Sequence, residues 1–228
     1  MDVVYVVGDL TEELRYSLRS LRFVDHDRVW IVGSLPDWAT NVEHIDVRDE
    51  WEKARNITEK LYAAATHPEV SDRFIYFNDD FFALRPTTVP NRHRGKIDVE
   101  KPRFEMRGRL SLRESREWTF YHLLHTWNVD PVISYDFVHT PMVMDKSGVA
   151  ASIDKARSVG LLAPQVRSLY GNLCGIGGVE GPNVKRNHGM EIPRDWDWVS
   201  TNVNSWKSKA GAEIRALFPD PSPYEKEA

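Results

Sequence analysis

At 228 residues the chain can form one large domain or two small ones, with a substantial buried core. Its composition, 41% hydrophobic and 28% charged, excludes intrinsic disorder, and a net charge of −4 supplies no overall field for nucleic acid or an anionic membrane. The single cysteine, Cys174, excludes an internal disulfide and reads as a small packed side chain. No run approaches the roughly 20 apolar residues of a membrane span, and Met1-Asp2 opens into a strand rather than a leader, so a cytoplasmic protein is expected.

Val3 to Val7 is a continuous apolar, β-branched run ending in Gly8-Asp9, the pattern of a central parallel strand covered on both faces. Thr11 then stands as an N-cap before Glu12 and Glu13, and Leu14, Leu18 and Leu21 mark an amphipathic helix. Val29–Gly33 and Val42–Val47 read as further strands, Ala54–Thr66 as a helix stopped by His67-Pro68, and Phe74–Phe77 as a buried strand. This alternation predicts an α/β fold with a mostly parallel central sheet and flanking helices in a compact single domain. Residues 1–84 form its first half, 85–116 a basic loop or hairpin insertion, and 117–228 a helical half that completes the active site. In that last part, Arg113–Trp127, Lys146–Val159, Pro164–Leu173 and Trp206–Phe218 read as helices and Val132–Val138 as a strand. Gly175–Gly181 is a glycine-rich loop without the spacing of a dinucleotide or phosphate-loop fingerprint.

The most informative segment is Phe74 to Phe82, a strand that delivers Asn78, Asp79 and Asp80 to its carboxyl end. Ligands of open α/β sheets collect there, and paired carboxylates suit a Mg²⁺ or Mn²⁺ shared with substrate phosphates. The same three residues also suit a simple turn. Between Arg85 and Arg116 there are ten Lys/Arg against four Asp/Glu, either a solvated face or an electropositive rim beside the aspartates. His122 and His125 have metal-binding spacing but no third ligand, so packing is expected of them. Trp196 and Trp198 offer a sugar-stacking platform, with His188 nearby.

Several segments, in order, resemble the Stealth family of sugar-phosphate transferases, which includes capsule hexose-1-phosphate transferases and the lysosomal-enzyme N-acetylglucosamine-1-phosphotransferase. Glu13 to Leu21 and Phe74 to Phe82 are similar to the two ends of its second block. His139-Thr140-Pro141 is similar to its third, and Pro221-Ser222-Pro223-Tyr224-Glu225 to its closing block. Tyr5-Val6-Val7-Gly8-Asp9 departs from the first block by lacking its tryptophan. The resemblance implies a glycosyltransferase A-like core that moves a sugar-1-phosphate from a nucleotide-sugar, a UDP-sugar first, to an acceptor hydroxyl. It implies Asp80, with Asp79, as metal ligands, His139 as general base or acid, Arg167 as a phosphate clamp and Glu59 as a metal or donor-sugar contact. Asn78 and Arg15 would bind substrate, and His188 is a further substrate-binding candidate from its place near the Trp196 and Trp198 platform. The acceptor expected is a glycan, with protein or nucleic acid as alternatives. Transfer of the sugar itself is the rival activity, and a non-catalytic module for anionic ligands a third reading.

Overall fold

In the computed structural model, which describes residues 1–106 and 109–226, the chain runs β1 (Asp2–Val7), α1 (Glu12–Ser20), β2 (Val29–Gly33), β3 (Glu43–Ile45), α2 (Lys53–Thr66), β4 (Arg73–Asn78), β5 (Phe81–Ala83) and β6 (Arg92–His93). It continues through α3 (Leu112–Tyr121), β7 (Met142–Asp145), α4 (Lys146–Ser158), α5 (Val166–Leu173), β8 (Val179–Glu180), β9 (Trp198–Ser200), α6 (Val203–Trp206) and α7 (Lys209–Leu217). The main sheet has the order β3-β2-β1-β4-β7, parallel except for β7. The architecture is therefore α/β with a mostly parallel sheet, as the alternation of elements predicts.

Cover on both faces explains why β1, β2 and β4 are apolar along their centres, between Asp2 and Val7 and between Arg73 and Asn78. Val4, Val6, Trp30, Val32, Phe74 and Tyr76 point to one face, where Leu61 of α2, Ile153 of α4 and Tyr170 of α5 cover them. Val3, Tyr5, Val7, Ile31, Ile75 and Phe77 point to the other, against Leu14 and Leu18 of α1. β5 and β9 pair as a small antiparallel sheet on that second side, with Trp198 edge-on to Phe77.

Several expectations need correction. Val132–Val138 is not a strand: Asp136–Val138 is a 3₁₀ turn, and the antiparallel strand of the sheet lies further on, at β7. One edge of this segment makes only an isolated antiparallel bridge with residues 94–97, through Arg94 N–H to the Ser134 carbonyl at 2.8 Å and Ser134 N–H to the Gly95 carbonyl at 3.1 Å, while side chains of α5 satisfy the alternate N–H groups. Ile133 N–H donates to Asn172 Oδ1 at 2.8 Å and Tyr135 N–H to Ser168 Oγ at 3.0 Å. The predicted 206–218 helix is two, because Asn202 caps a short α6 and the chain breaks at Lys207-Ser208. Gly211 then allows α7 to cross the Trp206 carbonyl, where a Cβ would sit 1.9 Å from the oxygen. The basic segment holds no hairpin of its own among its described residues; β6 pairs in parallel with β8 instead. Arg107 lies outside the described residues. Cys174 is exposed rather than packed inside.

The Pro-Ser-Pro-Tyr-Glu segment ties the chain's end to α1. Arg19 grips Glu225 through two bonds of 2.7 and 2.8 Å and also donates to the Phe218 carbonyl at 2.9 Å. Thr40 N–H donates to the Tyr224 carbonyl at 3.0 Å and Lys226 N–H to that of Trp38 at 2.8 Å. The paired side chains are only 10% and 6% exposed, so loss of the arginine leaves a desolvated carboxylate with only Ser222 and the more distant Arg15 to compensate it. Arg19→Ala is expected to lower the unfolding free energy by about 2–4 kcal/mol in denaturant titrations. A loss below about 0.5 kcal/mol would show that the tail is only loosely held.

Candidate active site

The chain leaves β1 for β2 and β3 on one side, then returns to β4 on the other, and in open α/β sheets the ligand crevice lies at such a reversal, here the carboxyl ends of β1 and β4. Register places Val6 beside Asn78, so Asp79 and Asp80 emerge next to the Val7-Gly8 turn. Thr11, whose position predicts a helix cap, does not cap α1 with its side chain. Its hydroxyl instead donates to Asp79 Oδ2 at 3.2 Å, joining the β1–α1 loop to the end of β4.

Asp79 and Asp80 have a third carboxylate for company. Glu13, in the first turn of α1, is 5% exposed and accepts from the Thr201 hydroxyl at 2.7 Å. Burial raises its pKa, and the charge of Asp80 adds to the rise. Asp79 is pushed up to about 7, first by burial, then by the charges of Asp80 and Glu13, against smaller relief from Lys53 and the Thr11 hydroxyl. Asp80 is the better compensated: its Oδ2 accepts from Lys185 Nζ at 3.1 Å and from the Ser200 hydroxyl at 3.2 Å. Its Oδ1 is buried and has no hydrogen-bond partner.

His139 follows the 3₁₀ turn in a left-handed conformation, φ 55°, which a non-glycine residue adopts at some cost in strain. Two contacts hold the turn. Arg167, 8% exposed, bonds the Asp136 carboxylate at 3.3 Å, the Asp136 carbonyl at 2.8 Å and the Thr140 carbonyl at 3.2 Å. Asp136 also accepts from Ser168 N–H at 3.0 Å, fastening the turn to the start of α5. Burial, then the positive charges of Arg167 and Lys185, lower the His139 pKa to about 4, so its ring is neutral at ordinary pH. Its Nδ1 lies 2.9 Å from Asn183 Oδ1, an oxygen that also accepts from Lys185 N–H at 2.9 Å. That oxygen can only accept, so Nδ1 carries the proton and the Nε2 lone pair is free.

Of the residues expected in the site, Asp79, Asp80 and His139 come together, with Arg167 near enough to act on the imidazole electrostatically. Arg167 has its guanidinium engaged by the 136–140 turn rather than held open for a phosphate. Asn78 accepts from the Tyr76 hydroxyl. Glu59 faces α4, where Arg157 binds it at 2.6 Å, and no described contact links it to the aspartates. Arg15 stacks over Trp38 at 4.7 Å and reaches Glu225 at 3.5 Å, which places it in the C-terminal tie. His188 is exposed, its Nδ1 3.3 Å from the Asn204 carbonyl oxygen. Trp198 is 2% exposed and is core, not a sugar platform, while Trp196 lies under Arg186 at 4.3 Å. His122 is buried among Trp118, Tyr121 and Trp127. In the basic segment, Arg85 and Arg92 reach Asp197 at 3.5 and 3.9 Å, and Arg116 lies 4.8 Å over the Phe137 ring.

Sequence reasoning missed Thr11, Glu13, Lys185 and Ser200 as neighbours of the aspartates and Asn183 as the partner of His139. Glu13 reads as an ordinary first-turn acid, and only the apolar packing of α1 on β1 turns it inward. Lys185 sits in no motif at all.

The crowding of carboxylates has a measurable signature. Asp79 holds its proton up to about pH 7 in the fold but releases it near 3.8 when unfolded. Folding therefore takes up a proton in that window, and the stability from this group is present below it and lost as pH rises through about 7. Asp79→Asn is expected to be more stable than the natural chain at pH 8 by about 1–3 kcal/mol, with the advantage gone at pH 4. Denaturant titrations at both pH values check this; a variant equally destabilised at both would disprove the repulsion.

No family model and no curated protein matches the chain. Solved structures do. The crystal structure of galactosyltransferase LgtC with donor and acceptor sugar analogs matches with a TM-score of 0.50 at 10% identity, over 99% of this chain and 98% of that one. An active-site mutant of LgtC matches with the same values. At that identity the likeness concerns architecture, and this chain has the α/β fold of that glycosyltransferase.

Proposed function

We propose that the chain is a metal-assisted enzyme that acts on a nucleotide-sugar and transfers the sugar itself to an acceptor hydroxyl. The carrying observation is the Asp79–Asp80 pair at the β1–β4 crevice, in a fold shared with a galactosyltransferase. A UDP-sugar is the first donor to try, and a glycan the first acceptor.

Among the described residues no three His, Cys, Asp or Glu side chains are placed to hold an ion together. A Mg²⁺ or Mn²⁺ is commonly held by one or two carboxylates with substrate phosphates completing its shell, and Asp79 and Asp80 fit that mode. The buried, unpartnered Oδ1 of Asp80 is the position left open for it. When bound, the ion would neutralise diphosphate charge and favour departure of the nucleotide.

The protein's own residues supply the rest. Neutral His139, with its Nδ1 proton committed to Asn183, presents Nε2 as a base for the acceptor hydroxyl. Arg167 holds the turn that carries His139 and keeps the ring unprotonated. Lys185 adds positive charge where a diphosphate would lie. Residues 11–13 close the crevice through the Thr11–Asp79 bond and the burial of Glu13.

A second reading is sugar-1-phosphate transfer. The ordered resemblance to Stealth proteins supports it. There the phosphoanhydride breaks rather than the glycosidic bond, and a nucleoside monophosphate leaves. The product decides. Incubated with a nucleotide-sugar panel and Mn²⁺ or Mg²⁺, the enzyme is expected to release a nucleoside diphosphate, identified by mass. A monophosphate would establish the second reading, and no consumption would leave a binding module. Asp80→Ala and His139→Ala should each lower kcat/KM by about 10²-fold or more. Unchanged rates would remove these residues from the site.

A further inference from the structure

We infer that Lys185 is the resident counter-cation of the aspartate pair, making metal binding contingent on a phosphate-bearing ligand; this rests on the donor-site reading above. Lys185 Nζ lies 3.1 Å from Asp80 Oδ2, while Oδ1 of the same carboxylate is buried and unpartnered. The ammonium thus occupies one side of the group that a divalent ion would need, and an entering ion meets a positive charge already in place.

The main chain at Lys185 is firmly held. Its N–H donates to Asn183 Oδ1 at 2.9 Å, Val184 N–H donates to the Val138 carbonyl at 3.1 Å, and Arg186 N–H to that of Ser200 at 2.7 Å. The side chain is held less. Its ammonium has Asp80 as its one hydrogen-bond partner among the described residues, and it is 27% exposed. An ammonium on a flexible four-carbon stem, anchored at its Cα and tied at one atom, can swing from a carboxylate to a phosphate without moving the backbone.

A diphosphate in the crevice offers Lys185 that second partner. Once the amine moves, Asp80 would meet an ion without the opposing ammonium, its Oδ2 still held by the Ser200 hydroxyl. Phosphate and metal then promote one another's binding, and the coupling is reciprocal. Without a phosphate ligand the amine stays on Asp80 and holds metal affinity down. This protects the crevice from idle ions while sparing Asp80 an uncompensated charge beside Asp79 and Glu13.

The test measures binding, not turnover. Mn²⁺ is titrated calorimetrically into the full chain and its Lys185→Met and Lys185→Arg variants, without nucleotide; inorganic pyrophosphate is then titrated without metal. Lys185→Met is expected to bind Mn²⁺ about tenfold or more tightly than the natural chain, and pyrophosphate about tenfold or more weakly. Lys185→Arg, which keeps the charge, should stay close to the natural chain in both. If Lys185→Met does not fold, Lys185→Gln takes its place. Equal Mn²⁺ affinity in the natural and uncharged chains, including no detectable binding in either, would overturn the inference, as would undiminished pyrophosphate binding. Neither titration uses a sugar donor, so an inactive nucleotide-sugar panel with these shifts present would refute the proposed activity and leave Lys185's role standing.

Discussion

Glu13, Asp79 and Asp80 share one crevice, and the repulsion between their carboxylates is the constraint to which the neighbouring residues answer. Thr201 donates to Glu13, Thr11 to Asp79, and Ser200 with Lys185 to Asp80. These groups offset the crowding only in part, since burial and mutual charge still hold the pKa values of Glu13 and Asp79 up. Packing that served stability alone would not gather three acids beneath a sheet edge.

The compensation comes from far along the chain. Thr11 belongs to the β1–α1 connection, Lys185 to the loop after β8, Ser200 to the end of β9 and Thr201 directly follows it. β5 and β9 bring the last two into place, because Phe81 pairs with Ser200 directly after the aspartates. His139 reaches the same region by another route. Its turn is anchored to α5 by Asp136 and Arg167, so the imidazole is set by a helix on one face of the sheet while α1 shapes the other. The arginine read from sequence as a phosphate clamp has its guanidinium bonded to this turn in the fold. Its guanidinium satisfies carbonyls that the left-handed turn leaves without partners.

The elements most legible in sequence are those with the strongest periodicity. β1, β2 and β4 are uninterrupted apolar runs because helices cover both faces, and α1 shows its core stripe through Leu14 and Leu18. Val132–Val138 misled because its alternation is real but its pairing stops at a single bridge to Lys96, with side chains of α5 taking the other N–H groups, which no local pattern records. The 206–218 stretch misled in a different way. Helix propensity continues across Lys207-Ser208, whereas the Asn202 cap and the close crossing at Gly211 impose a break. Trp198 shows the limit for aromatic residues, since composition cannot distinguish a ring that stacks on a ligand from one buried against Phe77.

The parallel sheet, the place where β4 ends and the delivery of Asp79 and Asp80 to that end were all written in the order of residues. They depend on strand periodicity and on a short run of neighbours, so local chemistry is enough to read them. The cations and hydroxyls that surround those carboxylates emerged with the packed fold alone. Folding also removed Glu59, Arg15 and His188 from the cluster, left the His139 ring neutral and set Lys185 against Asp80. Charge compensation acts through space over a few ångströms, and residues separated by more than a hundred positions, such as Asp80 and Lys185, meet only when the chain folds.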